Sequence, residues 1–270
     1  ATSYKAELFE PYFGDGEKFG IKIKYAVETT ALGTGGGIKN AADLLEECDQ
    51  VVIFNGDVLS GHDLSNQINF HQRNNADVTL YLTEVSDAKA YGCVQIDKDN
   101  RVKSFLEKMD NPISNLINAG CYIFNPAIIK TIPNDQVVSV ERETFPNLIA
   151  TNAKIFGFVD NSYWLDIGTP AALVKASADL VMGKIESAAT PQHQGEVLIS
   201  NTAQISPTAV IKTGSVIGSE VVVESGTEVT GSIIGKGAKI GEDCKIIDSI
   251  IAPNAQISAG MLIFSNYLGF

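Results

Sequence analysis

At 270 residues the chain is long for one domain and comfortable for two, since domains commonly run about 100–150 residues. Hydrophobic residues make up 44% and charged residues 19%, enough apolar material for a sizeable core and too much for a disordered chain. Lys and Arg number 20 against 32 Asp and Glu, and the resulting charge of −12 repels nucleic-acid backbones; a small phosphorylated ligand would need local cations or a metal. No apolar run approaches the ~18 residues of a membrane span and no basic-then-apolar leader opens the sequence, so a cytoplasmic protein with no membrane partner is expected. Four scattered cysteines (Cys48, Cys93, Cys121, Cys244) form no CxxC pair and fit reduced thiols rather than a disulfide frame or a zinc site.

In chain order, Tyr4, Leu8 and Phe9 share one helix face, and Ile21, Ile23, Tyr25 and Val27 alternate as a strand. The glycine-rich stretch Leu32–Gly37 follows, before a helix whose first turn is Ile38-Lys39-Asn40 and a helical stretch over Ala41–Glu47. Strand-like runs occur at Val51–Phe54, Val78–Leu82, Val102–Leu106, Cys121–Phe124 and Ile155–Val159. Leu64–Arg73, with Asp63 as its cap, reads as a helix, as does Ala171–Met182, with Thr169 as cap and Pro170 at the first position. Strands alternating with helices at this spacing predict an α/β domain over 1–183 with a mostly parallel sheet covered on both faces. Residues 184–196, rich in Ser, Ala, Thr, Pro, Gln and Gly, read as a linker.

From Val197 the pattern changes. Ile or Val recurs at 205, 211, 217, 223, 229, then 234, 240, 246, then 251 and 257, a six-residue step with two five-residue slips. That period is neither 3.6 nor 2. It predicts a parallel β-helix over 197–270, each flat side turning one aliphatic residue inward to stack on its equivalent one coil away.

Several residues could carry chemistry. Leu32-Gly33-Thr34-Gly35-Gly36-Gly37 offers close backbone approach and the free N–H groups of a helix start, although a flexible turn explains a lone glycine cluster equally well. It is no GxxxxGK[ST] loop. Asp57, at the end of Val51–Gly56, is placed to hold Mg²⁺ beyond the carboxyl end of a strand, the competing role being a helix cap. Asp166, within Tyr163–Pro170, is free for a second metal contact because Thr169 supplies the cap. Glu107-Lys108 ends a strand; spacing alone favours a solvated surface pair over a lysine that neutralises a substrate phosphate. His62, His71 and His193 have no metal-ligand spacing, and Cys93 and Cys121 read as packing residues.

Taken in order, Glu28 with Leu32–Gly37, Asn55-Gly56-Asp57, Tyr91-Gly92-Cys93-Val94, Phe105-Leu106-Glu107-Lys108, Ile117-Asn118-Ala119-Gly120 and Trp164–Pro170 resemble the sugar-nucleotide pyrophosphorylases, a nucleotidyltransferase family. Ser139-Val140-Glu141-Arg142-Glu143-Thr144-Phe145-Pro146 is similar to the Ser-[Ile/Val]-Glu-[Lys/Arg]-Glu-x-Phe-Pro stretch of mannose-1-phosphate guanylyltransferases. The resemblance implies a Rossmann-like nucleotidyltransferase domain followed by a left-handed parallel β-helix of hexapeptide repeats. It further implies formation of GDP-mannose and pyrophosphate from GTP and mannose 1-phosphate. Asp57 and Asp166 would hold Mg²⁺; Lys108 would pair with the sugar phosphate; Gly92, Glu107 and Asn118 would hold the sugar; Leu32, Gly33, Thr34 and Gly35 would wrap the base, with Glu28 an acceptor for guanine N–H groups. Lys108 thereby moves from surface pair to catalytic residue. Flat β-helix faces often associate, so a homo-oligomer is expected.

The family's GxGTR loop and its following Pro-Lys pair have no counterpart here, and Ala1-Thr2-Ser3-Tyr4 matches a position beyond the family's second strand. A triphosphate of roughly −4 exceeds what Lys39 and one metal can hold, so these residues are expected to belong to a longer protein, without which an apolar sheet edge is exposed and prone to aggregate. Three other functions compete: a glucose-1-phosphate nucleotidyltransferase using UTP, dTTP or ATP, a non-catalytic regulatory paralogue that binds nucleotide sugar, and a hexapeptide-repeat acyltransferase. The last typically needs a histidine inside the β-helix, and none of the three histidines lies past residue 193.

Overall fold

Long runs of β-branched and aromatic residues mark the strands that are buried on both faces, and these organise the first part of the chain. The computed structural model describes residues 1–187 and 195–269; residues 188–194 of the expected linker lie outside the described residues. The helices are α1 (Phe9–Phe13), α2 (Gly33–Ala42), α3 (Leu64–Arg73), α4 (Pro126–Ile129), α5 (Phe145–Ala150) and α6 (Pro170–Val181). The strands preceding the β-helix are β1 (Val51–Phe54), β2 (Val58–Ser60), β3 (Val78–Glu84), β4 (Gly92–Ile96), β5 (Val102–Glu107), β6 (Leu116–Phe124), β7 (Ile155–Val159) and β8 (Trp164–Asp166). The chain forms two compact units, one of residues Ala1–Gly56 and Asp63–Asn161, the other of Asp57–His62 and Ser162–Phe270.

In the first unit β6 is the organising strand. Along one edge it pairs antiparallel with β3; along the other it meets β4 at Cys93–Ile117 and then β1, whose Val51–Phe54 pair with Phe124–Cys121. β7 adds parallel to β3, and β5 antiparallel to β4. Thus β1, β3, β4 and β7 run in one direction, while β5 and β6 run against them. The sheet is mixed, with most strands codirectional. Leu80, Tyr122, Phe124, Phe145 and Ile155 form its core, with the Phe105 and Phe145 ring centroids 5.2 Å apart. Asp63 caps α3 as expected, its Oδ1 accepting the Asn66 N–H at 2.9 Å.

Three local expectations are corrected. Residues 21–27 form no strand; their single parallel bridge joins Val27 to Thr2, because no neighbouring strand takes up the remaining backbone groups. Tyr4 and Leu8 are 82% and 59% exposed, so they do not form a buried helix face. α2 begins at Gly33 and ends at Ala42, so the glycines are the helix's own first turn and Ala41–Glu47 is mostly non-helical.

In the second unit β2 and β8 form a short antiparallel ladder, and Thr169 caps α6 by accepting the Ala172 N–H at 3.2 Å. The six-residue spacing becomes a parallel β-helix. Ile205, Val223, Ile240 and Ile257 stack on one side, Ile211, Val229, Ile246 and Ile263 on a second, and Ile199, Ile217, Ile234, Ile251 and Leu268 on the third. Both five-residue slips fall at the same corner, where Ser232 and Ser249 are fully buried. The Ser232 hydroxyl accepts the Ser249 N–H of the next coil at 3.0 Å, and the Ser249 hydroxyl accepts that of Asn266 at 3.1 Å. The tighter corner is therefore stitched by side chains where a sixth residue is missing.

Asp179 on α6 is 2% exposed and accepts the Tyr163 hydroxyl at 2.8 Å, the Lys184 ammonium at 2.7 Å and the Lys175 ammonium. Burial pushes its carboxyl up, but these donors outweigh burial and hold it at about 2. A carboxyl held below its unfolded-state value of about 3.9 contributes stability that is complete above that value and disappears as the pH falls towards 2. Asp179→Asn is expected to lower the urea midpoint at pH 7, and the gap to the unsubstituted protein should close between about pH 4 and pH 2 in a pH series of unfolding curves.

Candidate functional site

Asp57 and Asp166, 109 positions apart in the sequence, are joined by the β2–β8 ladder. Val58 pairs with Asp166, and the Asp57 carbonyl accepts the Ile167 N–H at 2.8 Å, so both aspartates stand at one end of the ladder. Gly168 marks the point they share. A Cβ built there would lie 3.0 Å from Asp166 Oδ1 and 3.5 Å from Asp57 Oδ2, and the Gly168 N–H donates to Asp166 Oδ1 at 2.9 Å. Among the described residues neither carboxylate pairs with a lysine or arginine, and no third His, Cys, Asp or Glu completes a metal cluster. Two anionic oxygen donors facing one open point suit Mg²⁺, which keeps several water or phosphate ligands beside one or two carboxylates. The donor set fits the ion.

In the first unit Glu28, Gly33 and Thr34, with Asn55 and Tyr122, line a cavity of about 400 Å³, whereas Leu32, Gly35, Gly92, Glu107, Lys108 and Asn118 are not among its lining residues. A larger cavity of about 650 Å³, bordered by Lys39, Glu46, Glu47, Asp49 and Lys130, contains none of the predicted binding residues. The smaller one is the better candidate because polar groups from several elements converge on it. Glu28 Oε2 accepts the Leu32 N–H at 3.0 Å, which braces the start of α2. The α2 amides are less free than a helix start suggests. Gly35 N–H donates to the Val138 carbonyl at 2.8 Å and Gly36 N–H to the same oxygen at 3.4 Å. The glycines serve close packing as well. Gly33 has φ +69°, and a Cβ there would meet Val138 O at 2.7 Å; at Gly36 it would meet Gln136 O at 2.6 Å.

On the sheet, Gly92 lies opposite Glu107, and a Cβ at Gly92 would sit 2.7 Å from Glu107 Oε2. Burial raises the Glu107 carboxyl, the charge of Glu141 raises it further, and Lys108 and Arg142 oppose both. Lys108 is exposed at φ +49° and forms no ion pair within 4.0 Å among the described residues, although its charge reaches the Glu107 carboxyl. Asn118 Nδ2 donates to the buried Tyr122 hydroxyl at 2.8 Å. Glu141 joins these groups: it accepts the Thr34 hydroxyl at 2.8 Å, the Ser139 hydroxyl at 3.0 Å and the Tyr122 hydroxyl at 3.4 Å. Sequence reasoning used Glu141 only as part of a family pattern and passed over Tyr122. Cys121, pushed up to about 12 by burial, and Cys93, raised by burial and the Glu107 charge, are packing residues.

Comparisons with known proteins show the family to which the chain belongs. Residues 1–182 match the model of the Nucleotidyl transferase family, and residues 193–267 match that of the GMPPB C-terminal domain. The chain belongs to the nucleotidyl transferase family. It is 49% identical over 229 residues to the mannose-1-phosphate guanylyltransferase of Mycobacterium tuberculosis (strain ATCC 25618 / H37Rv), covering 84% of this chain and 64% of that protein. It is 31% identical over 239 residues to mannose-1-phosphate guanylyltransferase 1 of Arabidopsis thaliana, covering 85% and 66% respectively. The chain thus spans less than two thirds of the length of these relatives. Among solved structures, HddC from Yersinia pseudotuberculosis, also solved in complex with GMP-PN, matches with a TM-score of 0.56 and 32% identity, covering 64% of this chain and 74% of that one. No helix among the described residues is long and apolar enough to cross a membrane.

The packing of α2 is open to direct test. Gly36→Ala forces a methyl group onto the Gln136 carbonyl and should destabilise the protein by about 1–3 kcal/mol, read as a lower urea midpoint with an unchanged slope.

Proposed function

We propose that the whole protein forms GDP-mannose and pyrophosphate from GTP and mannose 1-phosphate. A phosphate oxygen of the sugar phosphate forms a bond to the α-phosphorus of GTP, the bond from that phosphorus to the bridging oxygen breaks, and pyrophosphate leaves with the electron pair. Two polyanions must meet in line, so positioning and charge screening supply most of the rate. The observation that carries the reading is the convergence of Asp57 and Asp166 on one point, with no lysine or arginine paired to either among the described residues. These carboxylates would hold Mg²⁺, which when bound screens the phosphates and stabilises the transition-state charge. The guanine and mannose assignments are supported by the guanylyltransferase relatives.

Lys108, exposed and without an ion pair among the described residues, offers the sugar phosphate a point charge. Glu107 and Asn118 accept and donate hydrogen bonds to sugar hydroxyls, with the Gly92 backbone against the ring. Leu32, Gly33, Thr34 and Gly35 flank the base; since the Gly35 amide is engaged by Val138, Gly33 and Thr34, which line the cavity, make the direct contacts. Glu28 keeps Oε1 for guanine N–H groups while Oε2 holds Leu32. The reaction runs in the cytoplasm, and copies of the protein associate through flat β-helix faces, on one of which Val210, Leu262 and Phe264 are exposed.

Pyrophosphate release measured for GTP, UTP, dTTP and ATP against mannose 1-phosphate and glucose 1-phosphate tests the substrates; preference for any pair other than GTP with mannose 1-phosphate replaces the assignment. Asp57→Asn and Asp166→Asn should each lower kcat by roughly 100-fold or more and weaken Mg²⁺ activation, and unchanged turnover would remove their metal role. Because the Glu107 carboxyl is raised, it loses its charge at a higher pH than an ordinary glutamate. The KM for mannose 1-phosphate should therefore climb as pH falls through a value above the usual ~4.3, and Glu107→Gln should lack that acid limb.

A further inference from the structure

Glu141 lies in a single π-helical turn, Val140–Thr144, closed by the Thr144 N–H donating to the Ser139 carbonyl at 3.2 Å. Such turns carry an extra residue per turn and recur at functional sites. This one is held in place, since Val140 and Thr144 on it are buried and Phe145, which follows it at the start of α5, packs with Val140 in the core of the first unit. The two oxygens of Glu141 are divided between two elements. Oε2 accepts the Thr34 hydroxyl at 2.8 Å, and the Thr34 oxygen in turn accepts the Val140 N–H at 2.9 Å, which locks the first turn of α2 to the π turn. Oε1 accepts the Tyr122 hydroxyl at 3.4 Å, and that hydroxyl accepts Asn118 Nδ2 at 2.8 Å. One carboxylate thus closes a continuous chain of polar contacts from Thr34 on α2 to Asn118 on β6.

We propose that Glu141 is a positioning residue that couples the nucleotide-binding side of the first unit to its sugar-binding side. This rests on the reading above, in which Thr34 faces the base and Asn118 the sugar. A half-buried carboxylate needs its donors, and removal of the Thr34 hydroxyl leaves Oε2 with the Ser139 hydroxyl, at 3.0 Å, as its remaining donor. The side chain then shifts towards its remaining partners, which moves the acceptor that orients Tyr122 and hence the amide of Asn118. Members of such a network respond together, unlike independent contacts. Occupation of the base site, by fixing Thr34, prepares the sugar site in the same way, and the two binding steps favour one another.

The test uses steady-state kinetics of the full-length protein with GTP, mannose 1-phosphate and Mg²⁺. Thr34→Val and Tyr122→Phe are compared singly and together, with Glu141 intact and with Glu141→Ala. With Glu141 intact, Thr34→Val should raise the KM for mannose 1-phosphate roughly three- to tenfold, and Tyr122→Phe should raise the KM for GTP comparably. In the Glu141→Ala background each of these cross-effects should fall below about twofold. Glu141→Gln, which keeps the size but only one acceptor oxygen, repeats the comparison if the alanine variant fails to fold. A purely structural Glu141 would lower the melting temperature and the active fraction without separating the two KM values. The coupling is overturned if Thr34→Val changes only the GTP KM, Tyr122→Phe only the sugar-phosphate KM, and the double variant shows the product of the two in both backgrounds. A wild-type protein inactive with every nucleotide and sugar phosphate would remove the function and the coupling together, whereas an active wild type with independent substitutions would remove the coupling alone.

Discussion

The short β2–β8 ladder is the constraint on which the candidate metal site depends. Asp57 and Asp166 come from segments 109 positions apart, which an unpaired chain would leave separated. Instead a three-residue antiparallel ladder and a glycine at position 168 leave their carboxylates facing a shared point. Their backbone geometry is set by pairing and by the Asp57–Ile167 and Asp166–Gly168 hydrogen bonds. The neighbouring Tyr163, anchored on Asp179, fixes the chain just before β8 and adds stiffness to the same ladder. In the proposed reaction, carboxylates fixed in this way would hold Mg²⁺ where the charge of two anions must be screened.

The first unit solves a different problem, that of bringing a helix start and a sheet surface to one small cavity. Successive glycines let α2 settle directly on the backbone of residues 136–138, an approach that side chains would prevent. The segment that receives α2 continues into the π turn carrying Glu141, so the same few residues position the helix and present the carboxylate that meets Thr34 and Tyr122. Packing and polar contacts are therefore two aspects of one local arrangement.

Features written in short-range pattern were legible in the sequence. The aliphatic spacing of six located every inward column from Ile205 to Ile257, because each depends only on its place within a coil. Asp63 and Thr169 were recognisable as caps, a helix start being a local event. What depended on distant partners was not legible. Residues 21–27 alternate like a strand but lack a neighbour along them, so alternation alone misled. The glycines suggested a ligand loop, whereas much of their clearance is filled by Val138 and Gln136, about a hundred positions away. Glu141 gave no sign of its place because its partners Thr34 and Tyr122 meet it only in the fold. Asp57 and Asp166 could be suggested as a metal-holding pair from their places at the ends of sequence runs, a pairing the family resemblance also implies, and an oxygen of each lies near the Cβ position of Gly168.

The serine-stitched corner of the β-helix has a consequence for how this region can vary. Each inward aliphatic sits on its counterpart in the coil below, and Ser232, Ser249 and Asn266 recur at one corner in step with them. Removing or adding one residue away from that corner would rotate every later column out of alignment and drive polar side chains into the interior. Length in this half of the molecule is therefore quantised: lineages can gain or lose whole coils, while single-residue changes are confined to the turn where a hydroxyl already stands in for missing backbone.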